Sequence, residues 1–309
     1  MSTPRRFLIV GATGKQGGAV VAALLDERAN LTSNEQFDIL CLTRDAHSPK
    51  ARSLESKPGV ALIQGDLFHA ATLFENAGPL DGVFCVTAPG RPGDEERQAA
   101  ALIDASVAHG VPHFVFTSVD RGGEGLSEKT PTRIPHFASK HRVEEYLKKK
   151  ASESDGKFTW TILRPVAFMD NLTPDFMGKG FASMWAQVGE KPLQLVSTKD
   201  IGKFGAEALL QPQVYKDQAV GLAGDELNFE QASKIFREEM GYDLPRTFGF
   251  IACAIKFAMS DMGTMFEWFK TDGYGVDIQK LRLRNPEIQD FRAWLKEKSG
   301  FKPKGEAKQ

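Results

Sequence analysis

The chain has 309 residues, 41% hydrophobic and 26% charged, enough for one large α/β domain or for a major and a minor lobe. Its 39 Lys and Arg against 40 Asp and Glu leave a formal charge of -1, so no global field draws it to nucleic acid or an anionic membrane. Cys41, Cys85 and Cys253 are too few and too scattered for a disulfide framework or a zinc site, and no His, Cys or Asp cluster has metal-site spacing.

In chain order, "MSTPRRFLIVG" runs from two arginines straight into a short apolar run, without the longer apolar region and cleavage site of a signal peptide. A cytoplasmic protein is expected, with the nucleus as a second location. "FLIVG", "FDILCLTR", "VALIQGDL", "GVFCVTAP" and "HFVFTSVD" then read as five strands, apolar almost throughout, as strands covered on both faces must be. Cys41 and Cys85 fall inside these runs and are expected to be buried, inert thiols. Between the strands lie helical patterns in "GGAVVAALLDERAN", "HAATLFENAG" and "DEERQAAALIDASVAHG", and the last opens as a solvated helix start. "HFASKHRVEEYLKKKASES" continues as a helix and "FTWTILRP" as a sixth strand. Strand and helix repeated this way imply right-handed crossovers and a Rossmann-like, doubly wound parallel sheet.

Residues 1–165 are expected to form this dinucleotide-binding core. Residues 166–309 are expected to complete it and to build a smaller C-terminal α+β lobe. There "KPLQLVSTKDIGKFGAEALL" suggests a strand and a helix, and "QAVGLAGDELNFEQASKIFREEMG" a strand, a turn and a helix starting near Asn228. "FGFIACAIKFAM" is too short and, with Lys256, too polar to span a bilayer, and reads as a core helix.

"VGATGKQGGAV" follows the first strand and opens a helix, with Gly11, Gly14 and Gly17 spaced for a tight turn and close backbone approach to a pyrophosphate. Thr13, Lys15 and Gln16 complete that loop as cofactor contacts. At the end of the second strand, Arg44 favours the 2′-phosphate of NADP(H) over NAD(H), with Lys15 as a second cation, and it reads otherwise as a solvated surface residue. Asp45 becomes a ribose ligand instead if that strand runs one residue longer. Asp66 and Leu67 in "QGDLF" are placed to border the adenine, Asp66 serving otherwise as a helix cap. Thr87, Ala88 and Pro89 in "VTAPG" are placed along the path from the phosphates to the nicotinamide.

Together, "GATGKQGG", "HFASK", "LRPVAFMDN", "FREEMGYDLP" and "FRAWLKEK" resemble the NmrA-like family of atypical short-chain dehydrogenase/reductases across nearly the whole chain. "TSVDRGGEG" and the long loop before "PHFASK" look most like its fungal members. The resemblance implies a Rossmann domain with a small C-terminal lobe, NADP(H) binding, and one of two roles. Some members are transcriptional co-regulators that sense dinucleotide state, and others reduce quinones or phenolic compounds. It also places Pro165, Val166, Phe168 and Asn171 near the nicotinamide and the substrate.

In the tyrosine enzymes of this class, a tyrosine four residues before a lysine exchanges the proton while the lysine binds the nicotinamide ribose. Here the pair is His136 and Lys140. Lys140 keeps the ribose-binding logic, and it reads otherwise as a solvated lysine on the charged helix "KHRVEEYLKKK". His136 has three readings: catalytic acid, cofactor or substrate contact, or structural residue at the helix entrance. Ser118 stands where many such reductases carry a carbonyl-polarising serine, and it reads equally as a turn or cap hydroxyl. The first expectation is therefore an NADP(H)-binding, redox-responsive regulator without the usual tyrosine, acting through a protein partner. The second is an NADPH-dependent reductase of a quinone, enone or other small apolar carbonyl compound. A nucleotide-sugar epimerase ranks third, because it needs the tyrosine.

Overall fold

Each apolar run of the first half becomes a parallel strand, and all but the third, which lies at the sheet edge, are largely buried. The structure, a computed structural model, describes residues 4–32, 35–87, 90–247 and 260–305. Along the chain come β1 (Arg6–Ile9), α1 (Lys15–Ala29), β2 (Asp38–Thr43), α2 (Pro49–Glu55), β3 (Val60–Gln64), α3 (Ala70–Ala77), β4 (Gly82–Cys85), α4 (Asp94–Ala108) and β5 (His113–Thr117). Then follow α5 (Glu124–Lys129), α6 (Pro135–Ser152), β6 (Thr159–Pro165), β7 (Ala167–Phe168), α7 (Phe176–Ala186), β8 (Leu193–Val196), α8 (Thr198–Leu210), α9 (Pro212–Tyr215) and β9 (Gln218–Leu222). The described chain ends with β10 (Asp225–Leu227), α10 (Phe229–Met240), α11 (Ser260–Thr271), α12 (Ile278–Arg284) and α13 (Phe291–Glu297).

The chain divides into two compact units. The first holds residues 1–118, 139–164 and 201–220, and the second holds 119–138, 165–200 and 221–309. The chain enters the second unit directly after β5, and it crosses between the units several times.

The seven-stranded sheet has the order β3-β2-β1-β4-β5-β6-β9. Strands β1 to β6 pair in parallel, with Leu8 beside Leu40 and Val83, and Val115 beside Phe84 and Thr161. The chain builds outward from β1 to β3 and then returns to β4, which puts the reversal of strand order between β1 and β4. Ligands of open α/β sheets lie beyond the strand ends at that reversal. Phe7, Leu8, Ile9, Val83, Phe84, Phe114 and Val115 have no exposed surface, which is why these strands read as unbroken apolar runs. Cys41 and Cys85 are buried free thiols among them, each pushed up to about 12 by burial.

The second unit has its own three-stranded sheet, with β8 parallel to β7 and antiparallel to β10. Trp185, Phe236, Phe266, Phe269, Phe291 and Trp294 fill its core. Helix α10 shows how the sequence sets an element. Asn228 caps it by accepting from Gln231 N, the Gln231 side-chain oxygen accepts from Asn228 N in return, and Gly241 ends it at φ 75°. No helix among the described residues is long and apolar enough to cross a membrane. The core helix expected in "FGFIACAIKFAM", with Cys253, lies outside the described residues.

Candidate dinucleotide site

In the first unit, the glycine turn leaves no room for side chains. Gly11 sits at φ 73°, and a Cβ there would lie 2.4 Å from Val86 Cγ1. A Cβ on Gly17 would lie 2.3 Å from Gly11 O. Gly14 N closes the turn onto Gly11 O at 2.8 Å. Helix α1 then starts at Lys15 with no side-chain cap and no acidic residue in its first turn. Its opening amides have no intrahelical acceptors and carry the positive end of the helix dipole, which suits a pyrophosphate. A cradle emptied of side chains beside such a helix start fits a dinucleotide. Thr13 is half-buried in the turn and Lys15 is exposed beside it. Gln16 Oε1 accepts from Thr117 Oγ1 at 2.7 Å, tying the helix start to the end of β5.

At the end of β2, Arg44 is exposed and makes no hydrogen bond or ion pair among the described residues. Asp45 is turned into its own loop: its carboxylate accepts from His47 N at 2.8 Å, and Thr43 Oγ1 holds its backbone. Asp66 caps the turn Leu67–His69 by accepting from Phe68 N at 2.9 Å, and Leu67 packs on the core. Thr87 is buried beyond β4, while Ala88 and Pro89 lie outside the described residues.

Lys140 and Thr87 meet at Glu95, the second residue of α4. Lys140 Nζ lies 3.0 Å from Glu95 Oε1 and 3.4 Å from Thr87 Oγ1, and the Thr87 hydroxyl donates to the same carboxylate oxygen at 2.8 Å. One turn further along α6, Glu144 is fully buried. It accepts from Arg164 Nε and Nη2 at 3.2 and 2.5 Å, and from the hydroxyl of Ser118, which is 3% exposed.

In the second unit, His136 Nδ1 lies 3.9 Å from Asp261 Oδ2, and its ring meets Phe137 edge-on. Pro165 ends β6, Val166 N donates to Leu222 O, and Phe168 lies in β7 opposite Val196. Asn171 ends the short turn Met169–Asn171, where Asp170 accepts from Thr198 N and Oγ1 at 2.9 and 2.7 Å. His136 and Lys140 share a helix but fall in different units. No group of three metal-ligating side chains occurs among the described residues.

The NmrA-like family matches residues 3–293. The chain belongs to that family. An NAD(P)H azoreductase of Xenophilus azovorans is 31% identical over 221 residues, covering 71% of this chain and 68% of that protein. The nitrogen metabolite repression protein nmr of Neurospora crassa is 26% identical over 207 residues, 57% of this chain and 40% of that protein. Among solved structures, the Citrobacter sp. triphenylmethane reductase complexed with NADP(H) superposes with a TM-score of 0.71 at 16% identity, covering 94% of this chain and 99% of that one. That likeness confirms the Rossmann-like fold of this NmrA-like chain.

Glu95, Glu144 and Arg164 did not stand out in the sequence. Arg164 carried a signal, being a charged residue inside a strand buried on both faces, which demands a partner. Glu95 carried none, since it is one of three consecutive acids at a helix start.

Proposed function

We propose that this chain binds NADP(H) at the glycine turn and works as a dinucleotide-responsive regulator that lacks the usual catalytic tyrosine. The observation that carries this reading is the commitment of the polar side chains expected there. The Ser118 hydroxyl donates to Glu144, Lys140 is paired with Glu95 and Thr87, and no tyrosine precedes Lys140 by four residues. Arg44 supports NADP(H) over NAD(H), because a 2′-phosphate at the end of β2 would meet an exposed guanidinium while Asp45 is held in its loop. Bound dinucleotide would act by favouring one conformation of the chain, and so one state of its protein partner, in the cytoplasm or the nucleus. The net charge of -1 gives no reason to expect direct contact with nucleic acid.

A second reading is favoured by the 31% identity to the azoreductase. Bound NADPH supplies a hydride. A quinone that takes it needs one further proton to reach the hydroquinone, and solvent can deliver that proton without an enzymic acid. Both readings use Lys140 for the nicotinamide ribose. His136 is the protein group that would have to hold the proton if solvent did not.

NADPH oxidation with a panel of quinones, azo compounds and aldehydes separates the two, on wild type, Lys140→Met and His136→Ala. A regulator binds NADPH in calorimetry and shows no turnover above the uncatalysed rate with any acceptor. Turnover of the order of 1 s⁻¹ or faster, lost in Lys140→Met, would replace the regulator with the reductase.

A further inference from the structure

We infer that Glu95 is the positioning residue for Lys140: it fixes the ammonium beyond the end of β4 and neutralises it, so that Lys140 serves as a hydrogen-bond donor to a ribose hydroxyl. This rests on the dinucleotide reading given above.

The three groups form a closed triangle. Lys140 Nζ donates to Glu95 Oε1 and to Thr87 Oγ1, and the Thr87 hydroxyl donates to Glu95 Oε1. The lysine and glutamate side chains are 12% and 7% exposed, so solvent does little to screen the pair. The face of the Phe116 ring lies 5.6 Å from Nζ, and the Cys85 thiol, pushed up to about 12 by burial, adds no second anion near neutral pH. An ammonium has three N–H groups. Two are used here, and the third has no hydrogen-bond partner among the described residues.

Glu95 is singled out among its neighbours. Asp94 faces Arg97 and Arg91, and Glu96 pairs with Arg142 at 2.6 Å on the outer side of α4. Glu95 alone of the three is buried, and the first turn of a helix favours a carboxylate. In tyrosine enzymes the charge of the lysine has a second task, which is to favour the phenolate. Here a carboxylate at 3.0 Å meets that charge. What remains is the directional task, a fixed N–H toward a neutral hydroxyl, which a four-carbon side chain performs only if its end is held.

Calorimetry with two ligands tests this on wild type, Glu95→Gln, Lys140→Met and the double variant. NADPH carries the nicotinamide ribose, whereas 2′,5′-ADP carries the adenosine 2′-phosphate and lacks that ribose. Each single variant is expected to weaken NADPH binding about tenfold, and the double variant also about tenfold rather than a hundredfold. Binding of 2′,5′-ADP should stay within about twofold of wild type throughout. If Glu95→Gln does not fold, Glu95→Asp is read in the same way, with NADPH weakened and 2′,5′-ADP kept. Unchanged NADPH affinity in Glu95→Gln beside a loss in Lys140→Met overturns the inference. So does a parallel loss of both ligands, which marks Glu95 as merely structural. Wild type that binds neither ligand overturns the dinucleotide reading itself, and this inference with it.

Discussion

Ser118 shows how one side chain changes meaning once its surroundings are known. In the sequence it occupies the place of a carbonyl-polarising hydroxyl. In the structure that hydroxyl is buried and donates to Glu144, whose carboxylate Arg164 grips with two nitrogens. Replacing Ser118 with alanine removes one donor from a buried charge. Urea denaturation should show a loss of about 1–3 kcal/mol, with NADPH affinity unmoved. Unchanged stability with lost affinity or turnover would return Ser118 to the reacting end. The sequence could name Ser118, Lys140 and the glycines because strand-end and motif positions mark them. It could not choose Glu95 from Asp94 and Glu96, because burial alone separates three adjacent acids.

Elements were legible where one physical pattern dominated. Strands β1, β2 and β4 to β6 are largely buried, so their apolar runs stand out, and α1, α4 and α6 follow from the runs between them. Helix α2 went unread because it buries only Ala51 and shows no apolar stripe, although Ser48 and Pro49 are a recognisable start. Strands β7 and β10 have two and three residues, too few for any period to show. The junction of α6 with β5 and β6 depends on an ion pair 20 residues apart in sequence, Glu144 with Arg164, which no local pattern predicts. Because Arg164 is 2% exposed, Arg164→Met should cost about 3–5 kcal/mol by leaving Glu144 charged and unpaired. Adding Glu144→Gln should recover part of that loss in chemical denaturation. A cost below about 1 kcal/mol for Arg164→Met would mean that the pair does not hold the junction.

At the scale of the molecule, composition and alternation were enough to read the fold class. Residues 119–138 follow β5 and cluster with the second unit. Asp120 anchors that segment, accepting from Gly122 N, Gly123 N and Gly275 N, the last of them 155 positions away. The pH response of stability is also a property of the whole. His113 is 1% exposed between the hydroxyls of Thr159 and Thr161, and burial pulls it down to about 4 from its ordinary 6.5. The folded chain therefore holds this ring neutral while the unfolded chain takes up a proton. Its contribution of about 3 kcal/mol is complete above pH 6.5 and is lost as pH falls from there toward about 4. His113→Gln should flatten the stability profile in that window, and an unaltered slope would assign the acid sensitivity elsewhere.

The proposed function depends on one proposition, that the glycine turn and Arg44 together hold NADP(H). The most direct test is calorimetric titration of the full chain with NADPH and with NADH, repeated on Arg44→Ala. Micromolar or tighter NADPH binding is expected, stronger than NADH by about tenfold or more, with that preference abolished in Arg44→Ala. Binding of neither dinucleotide, or equal affinities that Arg44→Ala leaves untouched, would contradict it.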